Sequence, residues 1–168
     1  MFFEFLLRRV RCWVKSRSNL RVVRVNEYEI APNANLSGAN LNHANLRGAN
    51  LWGANLVNSN LHDADLCCAD LRHANLTDAT LSKANLNHAN LSNANLHHSN
   101  LTCTCSTFAD LVSTDLTYAD LTYADLTNAD LTNADLTNAD LTNANLTNAN
   151  LTNANLHGAT MPDGTKHD

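Results

Sequence analysis

The sequence predicts an all-β solenoid in which the backbone turns a corner once every five residues. One pattern, Ala, then Asn or Asp, then Leu and two freer positions, runs without insertion from residue 34 to residue 163. Its central position is Leu in every repeat except at Ser106 and Met161. The period of five and the unbroken frame together indicate the fold class.

A period of five residues matches neither an α-helix nor an unbroken strand. Five residues of α-helix advance about 500°, so the leucines would spread over every side. On an unbroken strand, side chains alternate between faces, and successive leucines would point in opposite directions. A bend in each repeat removes the conflict, because every Leu then faces one axis and the Ala two residues earlier points inward beside it.

Corners near 90° would give four sides and about 20 residues per coil, with coils stacked about 4.8 Å apart. Central positions from residue 36 to residue 161 make 26 repeats, or 26/4 = 6.5 coils. Such a rod would be about 31 Å long. The period by itself also allows three sides.

The string Ala-(Asn/Asp)-Leu-x-x, as in residues 124–128, resembles the pentapeptide-repeat family. The resemblance covers about three quarters of the chain and supports the choice of four sides. It implies a right-handed quadrilateral β-helix with the Leu and Ala side chains inside. Several roles occur in that family, so the resemblance says more about fold than about function.

The N-terminal segment is predicted to form a basic amphipathic helix over residues 1–19. Apolar residues recur there at helical spacing, at Phe3, Leu7, Val10 and Val14. We expect this helix to cap the open end of the solenoid, because an uncapped coil exposes unpaired backbone groups. The alternative is a helix lying on an anionic membrane surface.

The chain divides into three predicted parts. Residues 20–30 are rich in β-branched residues and are expected to form a lead-in strand, which completes the cap of residues 1–30. The β-helix then occupies residues 31–163, and residues 164–168 form a polar tail. No apolar run approaches the length of a membrane span.

Charge is distributed unevenly along the sequence. Residues 1–25 contain seven basic residues against one acid, a net charge of +6, whereas the rest contains four basic residues against 15 acids, a net charge of −11. This division suggests two surfaces with different partners. The acidic rod is not expected to bind nucleic acid directly.

Aspartate fills one outward position in seven consecutive repeats, which predicts a negative surface that attracts a basic partner. These residues are Asp110, Asp115, Asp120, Asp125, Asp130, Asp135 and Asp140. Phe108, Tyr118 and Tyr123 occupy nearby outward positions, close to the irregular stretch 99–118. We expect the aspartates and these aromatic residues to form a candidate partner surface.

The cysteines and histidines do not predict a metal centre. Zinc requires four converging donors, whereas Cys67, Cys68, His88, Cys103 and Cys105 should be spread over different coils. The odd number of cysteines and the adjacent pair argue against a disulfide framework, so a reducing, cytoplasmic location is expected. No cofactor motif or nucleophile with a plausible base is recognisable, and a filled rod has no pocket.

The sequence therefore predicts a non-enzymatic scaffold that displays an acidic surface for binding another protein. Some members of the family that it resembles imitate duplex DNA and bind type II topoisomerases such as gyrase, which is one alternative function. Peripheral membrane binding through residues 1–19 is the other. The family resemblance and the cysteine usage favour a bacterial, cytoplasmic protein.

Overall fold

The structure is a computed structural model in which residues 23–168 are described. The helix predicted over residues 1–19 and the start of the lead-in strand lie outside the described residues. Two short strands, β1 (Val23–Val25) and β2 (Tyr28–Ile30), form an antiparallel hairpin. The expected lead-in strand is thus two strands, because Asn26, with φ 56°, reverses the chain between them.

Each repeat makes one tight turn, which is the predicted bend. The Leu carbonyl accepts a hydrogen bond from the Ala N–H three residues on, as between Leu36 and Ala39 at 3.0 Å. The second of the two residues between them has positive φ, between 55° and 62° where it is not glycine. A type II turn requires positive φ at this position, which Asn adopts more readily than most residues.

Four repeats make one coil. Every parallel bridge in the solenoid joins positions that are four repeats apart, from Asn35 with Asn55 to Asp140 with Thr160. Each inner coil also donates in both directions, as Leu56 N–H does to Asn75 and Asn55 N–H does to Ala34. This spacing confirms the quadrilateral choice and excludes three sides.

The core is a set of leucine and alanine columns along the axis, as predicted. Leucines from Leu36 to Leu141 are at most 3% exposed, and the alanines beside them are also buried, apart from the partly buried Ala34 and Ala49 at the start. At the N-terminal end, Val25, Tyr28 and Ile30 of the hairpin pack against this core. The Tyr28 hydroxyl also accepts a hydrogen bond from the backbone N–H of Asn40. Among residues 23–168, this hairpin is the cap of the first coil.

One coil breaks the pattern without a loss of packing volume. Ser106 stands in a Leu column and Thr104 in an Ala column, and both are buried. Thr has two more side-chain heavy atoms than Ala, and Ser has two fewer than Leu, so the pair conserves volume. The Ser106 hydroxyl donates to Thr104 at 3.2 Å, and the Thr104 hydroxyl donates to the Leu101 carbonyl at 3.0 Å. The irregular coil is therefore a compensated exchange of residue sizes.

This compensation predicts strong coupling between the two positions. Ser106→Leu alone should lower the free energy of unfolding by about 1–3 kcal/mol, because the larger side chain overpacks against Thr104. The double change Thr104→Ala with Ser106→Leu should instead raise it, since it restores the regular core. Urea denaturation of both single variants and the double variant gives the coupling energy. Additive effects within about 0.5 kcal/mol would contradict this account.

The positive φ of the second turn residue predicts how substitutions there change the stability of the fold. Asn133 has φ 58° and an exposed side chain. Asn133→Val should destabilise the fold by about 1–3 kcal/mol, because a β-branched side chain is strained at positive φ. Asn133→Gly is the matched control and should be close to neutral, since glycine adopts positive φ without strain. Equal melting temperatures for the two variants would contradict the explanation.

Candidate functional site

The seven aspartates surround the rod. Because successive repeats occupy successive sides, residues 110–140 distribute the aspartates over all four sides and about one and a half coils. Three pairs lie directly above one another in adjacent coils, namely Asp110 with Asp130, Asp115 with Asp135, and Asp120 with Asp140. We call Asp110, Asp115, Asp120, Asp125, Asp130, Asp135 and Asp140 the acidic girdle. It is a ring around the solenoid rather than a stripe along one side.

Hydrogen bonds to the following turn hold each girdle carboxylate in place. Asp115 Oδ1 accepts the backbone N–H of Thr117 at 2.9 Å and its hydroxyl at 2.7 Å. The same two contacts recur at Asp125, Asp130, Asp135 and Asp140, whereas Asp120 accepts only the backbone N–H of Thr122, at 2.9 Å. Val112 follows Asp110 and supplies the backbone N–H alone, at 3.3 Å. The threonines position the acidic side chains, and the constant Asp-Leu-Thr spacing was the sequence signal for this role.

The girdle is strongly negative because no Lys or Arg lies between Lys83 and Lys166. Like charges about 5 Å apart in water repel by about 0.8 kcal/mol, so the stacked pairs oppose folding slightly. Carboxylates on all four sides also create a negative potential around the rod that attracts cations and basic protein surfaces.

The fold does not require this negative charge. In the last coil, Asn145, Asn150 and Asn155 occupy the same position as the girdle aspartates. Asn150 Oδ1 accepts the N–H of Thr152 at 3.1 Å and its hydroxyl at 2.6 Å, as an aspartate does. Its amide also donates to Thr132 in the preceding coil at 2.8 Å. Asparagine therefore satisfies the turn and adds a hydrogen bond, so aspartate contributes charge that the turn does not use.

The three aromatic residues of the candidate surface lie on three different corners. Phe108, Tyr118 and Tyr123 are second turn residues, and each corner recurs only once per coil. Phe108 lies on the corner that follows Tyr123 around the coil and is half-buried. Tyr118 and Tyr123, which are 51% and 64% exposed, flank the side of the rod that carries Asp120. This pair extends the girdle with two exposed aromatic rings.

Histidines of the preceding coil stack on two of these aromatic rings, those of Phe108 and Tyr118, a feature that the sequence analysis did not identify. His98 stacks on Tyr118 with ring centres 4.9 Å apart, and His88 stacks on Phe108 at 5.1 Å. In each case the two residues are one coil apart, so the coil length was the signal that could have revealed the contact. Stacking fixes one face of each ring against the solenoid.

Ion pairs occupy the first half of the rod. Arg72 binds Asp70 through two contacts, at 2.9 and 2.7 Å, and Arg47 contacts Asp65 at 3.4 Å. Burial acts to raise the pKa of Asp70, but the hydrogen bonds and charge of Arg72 outweigh it and hold that pKa below its ordinary value. Trp52 contacts His73 edge-on at 5.8 Å. Trp52 and Arg72, which lie one coil apart, thus each contact a different residue.

Polar contacts of histidine do not assemble a catalytic triad in the described residues. His62 Nδ1 lies 2.7 Å from the Ser82 hydroxyl, whereas the imidazole beside Asp63 is that of His43, at 2.9 Å. Neither of these two histidines therefore links a hydroxyl to a carboxylate. His97 and Thr117 repeat the histidine–hydroxyl contact at 2.6 Å, again one coil apart. This recurrence indicates a stacking contact between coils.

The cysteines do not form a metal centre within residues 23–168. Cys67, Cys103 and Cys105 carry free thiols. Burial raises the pKa of the Cys67 thiol despite the nearby Arg47 guanidinium. In this part of the chain, no three His, Cys, Asp or Glu side chains converge to hold a metal ion. No helix described by the structure has the length and apolar character to cross a membrane.

Comparisons with solved structures identify proteins of the same architecture. Rfr23, a pentapeptide repeat protein from the cyanobacterium Cyanothece 51142, is 38% identical over 51% of this chain and 58% of its own, with a TM-score of 0.51. This chain therefore spans less than two thirds of the length of Rfr23. The pentapeptide repeat protein alr5209 from Nostoc PCC 7120 is 41% identical over 48% of this chain and 66% of its own, with a TM-score of 0.47.

A more distant structure has a functional description of its own. QnrB1, a plasmid-mediated fluoroquinolone resistance protein, is 19% identical over 65% of this chain and 58% of its own, with a TM-score of 0.44. At that identity the likeness concerns the fold alone. No curated protein is similar enough to this chain to match it.

The repeats themselves match a known family along nearly their whole length. The family described as pentapeptide repeats matches residues 34–72, 69–104, 107–133 and 129–163, in eight copies. Its members fold as right-handed quadrilateral β-helices, in agreement with the four repeats that make each coil here. The chain belongs to the pentapeptide-repeat family.

Proposed function

We propose that this protein is a non-enzymatic scaffold whose acidic girdle binds a basic surface of a partner protein. The observation that carries the proposal is the replacement of Asp by Asn in the last coil, where the same turn bonds are kept. Either residue makes the hydrogen bonds that the turn needs, so the fold does not explain why aspartate was chosen. Seven consecutive carboxylates also repel one another, which indicates that their charge has a function. Attraction of a basic partner is such a use.

The fixed positions of the girdle carboxylates support a role in binding a partner. Each carboxylate accepts a backbone N–H of the following turn, and a threonine hydroxyl joins this contact at five of the seven aspartates. These bonds restrict the rotation of the carboxylates before a partner arrives, so less side-chain entropy is lost on binding. Charges held at regular spacing raise the rate and the specificity of association more than the affinity. Tyr118 and Tyr123 add exposed aromatic rings of the kind that is enriched at protein interfaces. A basic partner with an apolar patch matches this side of the rod best.

Mimicry of duplex DNA is less consistent with the charge distribution. Duplex DNA carries one negative charge per about 1.7 Å along its whole length. The girdle extends over one and a half coils, about 7 Å of rod at the stacking distance of β-strands. The coils before it contain Arg47, Arg72 and Lys83, and residues 141–162 contain no charged residue. We therefore favour a local acidic docking surface over a long imitation of DNA.

The proposal predicts a specific loss of binding to a basic probe. The variant Asp115→Asn, Asp120→Asn, Asp135→Asn and Asp140→Asn should keep the fold, because Asn makes the same turn contacts in the last coil. Its affinity for a fluorescein-labelled oligolysine peptide, measured by anisotropy, should fall about tenfold, or about 1.4 kcal/mol. The effect should shrink as salt is added, since exposed charges are screened.

A matched control removes four charges elsewhere on the chain. Glu27→Gln, Glu29→Gln, Asp78→Asn and Asp168→Asn change the net charge equally but leave the girdle intact. This control should bind the peptide nearly as well as the unmodified protein. Equal losses in the two variants would show that net charge alone matters, and the docking proposal would then fail.

A further inference from the structure

We propose that Tyr118 and Asp140 together receive an arginine side chain of the basic partner, whose guanidinium group stacks on the tyrosine ring and pairs with the carboxylate. This proposal rests on the docking function of the acidic girdle and names the side chain that one side of the girdle recognises.

One face of the Tyr118 ring is covered and the other is open. His98, one coil earlier, stacks on the covered face with the two rings 12° from parallel, and His97 meets the same ring edge-on at 5.7 Å. Tyr118 nevertheless remains 51% exposed. Because the stacked imidazole lies toward the start of the rod, the opposite face of the phenol ring is directed toward the next coil.

The residue at this corner in the next coil leaves the open face uncovered. It is Asn138, whose side chain is exposed. Its Oδ1 is directed toward the last coil, where a Cβ atom added to Gly158 would collide with it. The side chain thus leans away from Tyr118. A flat group can therefore lie on the phenol ring within the height of one coil, about 4.8 Å.

A carboxylate lies at the level of this open face. Asp140 follows Asn138 by two residues, and the buried Ala139 between them points into the core. Residues two apart on an extended segment point to the same side and lie about 6.6 Å apart, which places the carboxylate beside the space above the ring. Asp140 Oδ1 accepts both hydrogen bonds from Thr142, at 2.9 and 2.5 Å. Its Oδ2 accepts no hydrogen bond from the residues that the structure describes.

The chain itself does not place a cation at this position. The sequence contains no Lys or Arg between Lys83 and Lys166. The Lys166 ammonium group donates to the Gly158 carbonyl at 3.0 Å, at the corner two coils beyond Tyr118. The space between the ring and the carboxylate is therefore open to a cation from another molecule.

The chemistry of this position favours arginine over lysine. A guanidinium group is planar, stacks on aromatic faces and donates paired N–H groups to a carboxylate. A lysine ammonium group is a compact and strongly hydrated charge, which gains less from a flat ring. The His98 imidazole shows, on the covered face, that the ring already accepts a flat group that contains nitrogen.

The other two aromatic residues of the candidate surface lack part of this arrangement. Asn145, which is neutral, lies two residues beyond the corner above Tyr123. Phe108 has Asp130 at the equivalent position, but its side chain is half-buried. Among these three rings, only that of Tyr118 is both exposed and accompanied by an aspartate in the next coil.

Peptide binding to the full 168-residue chain tests this proposal. Fluorescein-labelled oligoarginine should bind at least about threefold more tightly than oligolysine of the same length, measured by anisotropy. Tyr118→Asn should weaken oligoarginine binding about threefold and remove most of this preference, because the ring is lost. Asn fits the turn, since Asn138 has positive φ at the same corner. Tyr118→Phe keeps the aromatic face and should stay within about 1.5-fold of the unmodified chain.

The matched control is Tyr123→Asn. It removes a ring that is 64% exposed but has no aspartate in the next coil. This variant should bind oligoarginine within about 1.5-fold of the unmodified chain, because the ring there lacks the carboxylate that would hold the guanidinium group. Circular dichroism should show that all three tyrosine variants keep the fold.

The ring and the carboxylate should be coupled, because they contact one guanidinium group. Asp140→Asn should weaken oligoarginine binding at least about twofold less in the Tyr118→Asn background than in the unmodified chain. Asp130→Asn is the matched control on the opposite side of the rod, since Asp130 makes the same two contacts with its threonine. Its effect should agree within about 1.5-fold in the two backgrounds.

The outcomes separate this proposal from the docking function on which it rests. Equal affinity for the two peptides, unchanged binding in Tyr118→Asn, or equal losses in Tyr118→Asn and Tyr123→Asn would each overturn the arginine site. If binding still depended on the four aspartates replaced in the girdle variant, the docking function would stand. Peptide binding that did not depend on those aspartates would overturn both.

Discussion

The structure depends on the stacking of each coil on the next through backbone hydrogen bonds at a fixed offset of one coil. That offset requires the chain to return to the same place after every fourth repeat, and four turns of one type achieve this. Leucine columns form as a consequence, because residues one coil apart lie above one another. Burial of those columns then stabilises the turns that produced them. Local turn and long-range packing are thus two aspects of a single constraint.

This constraint leaves the outward positions free within narrow limits. The position before Leu must accept hydrogen bonds from the following turn, and both Asp and Asn do so. The second turn residue must tolerate positive φ, a condition that here accommodates Asn, Gly, Asp, His, Ser, Tyr, Phe, Cys and Lys. Selection for function can therefore act on charge and aromatic character without disturbing the core. The acidic girdle and the histidine–aromatic stacks are products of that freedom.

At its two ends and at its irregular coil, the solenoid needs contacts that the regular repeat does not provide. Ser106 with Thr104 conserves packing volume inside the rod, and the hairpin covers part of the first coil. In the last coil, the folded-back tail pairs with one side, and the other three sides are exposed. Its neutral asparagines follow directly after seven aspartates, so the change in charge coincides with the change in environment. The composition of the repeats thus varies with their position along the axis.

The sequence by itself determined the solenoid, the inward Leu and Ala, the outward polar positions and the identity of the acidic residues. These follow from a period of five, which any regular element other than a bent coil fails to accommodate. It could not separate three sides from four without the family resemblance, because the period fixes one turn per repeat and not the angle of that turn. Only the tertiary structure decided that the aspartates form a ring, that Phe108 is half-buried whereas Tyr118 and Tyr123 are exposed, and that Arg72 binds Asp70. Those outcomes depend on which residues meet across coils, and that is set by the number of turns per coil and by competition among neighbouring side chains.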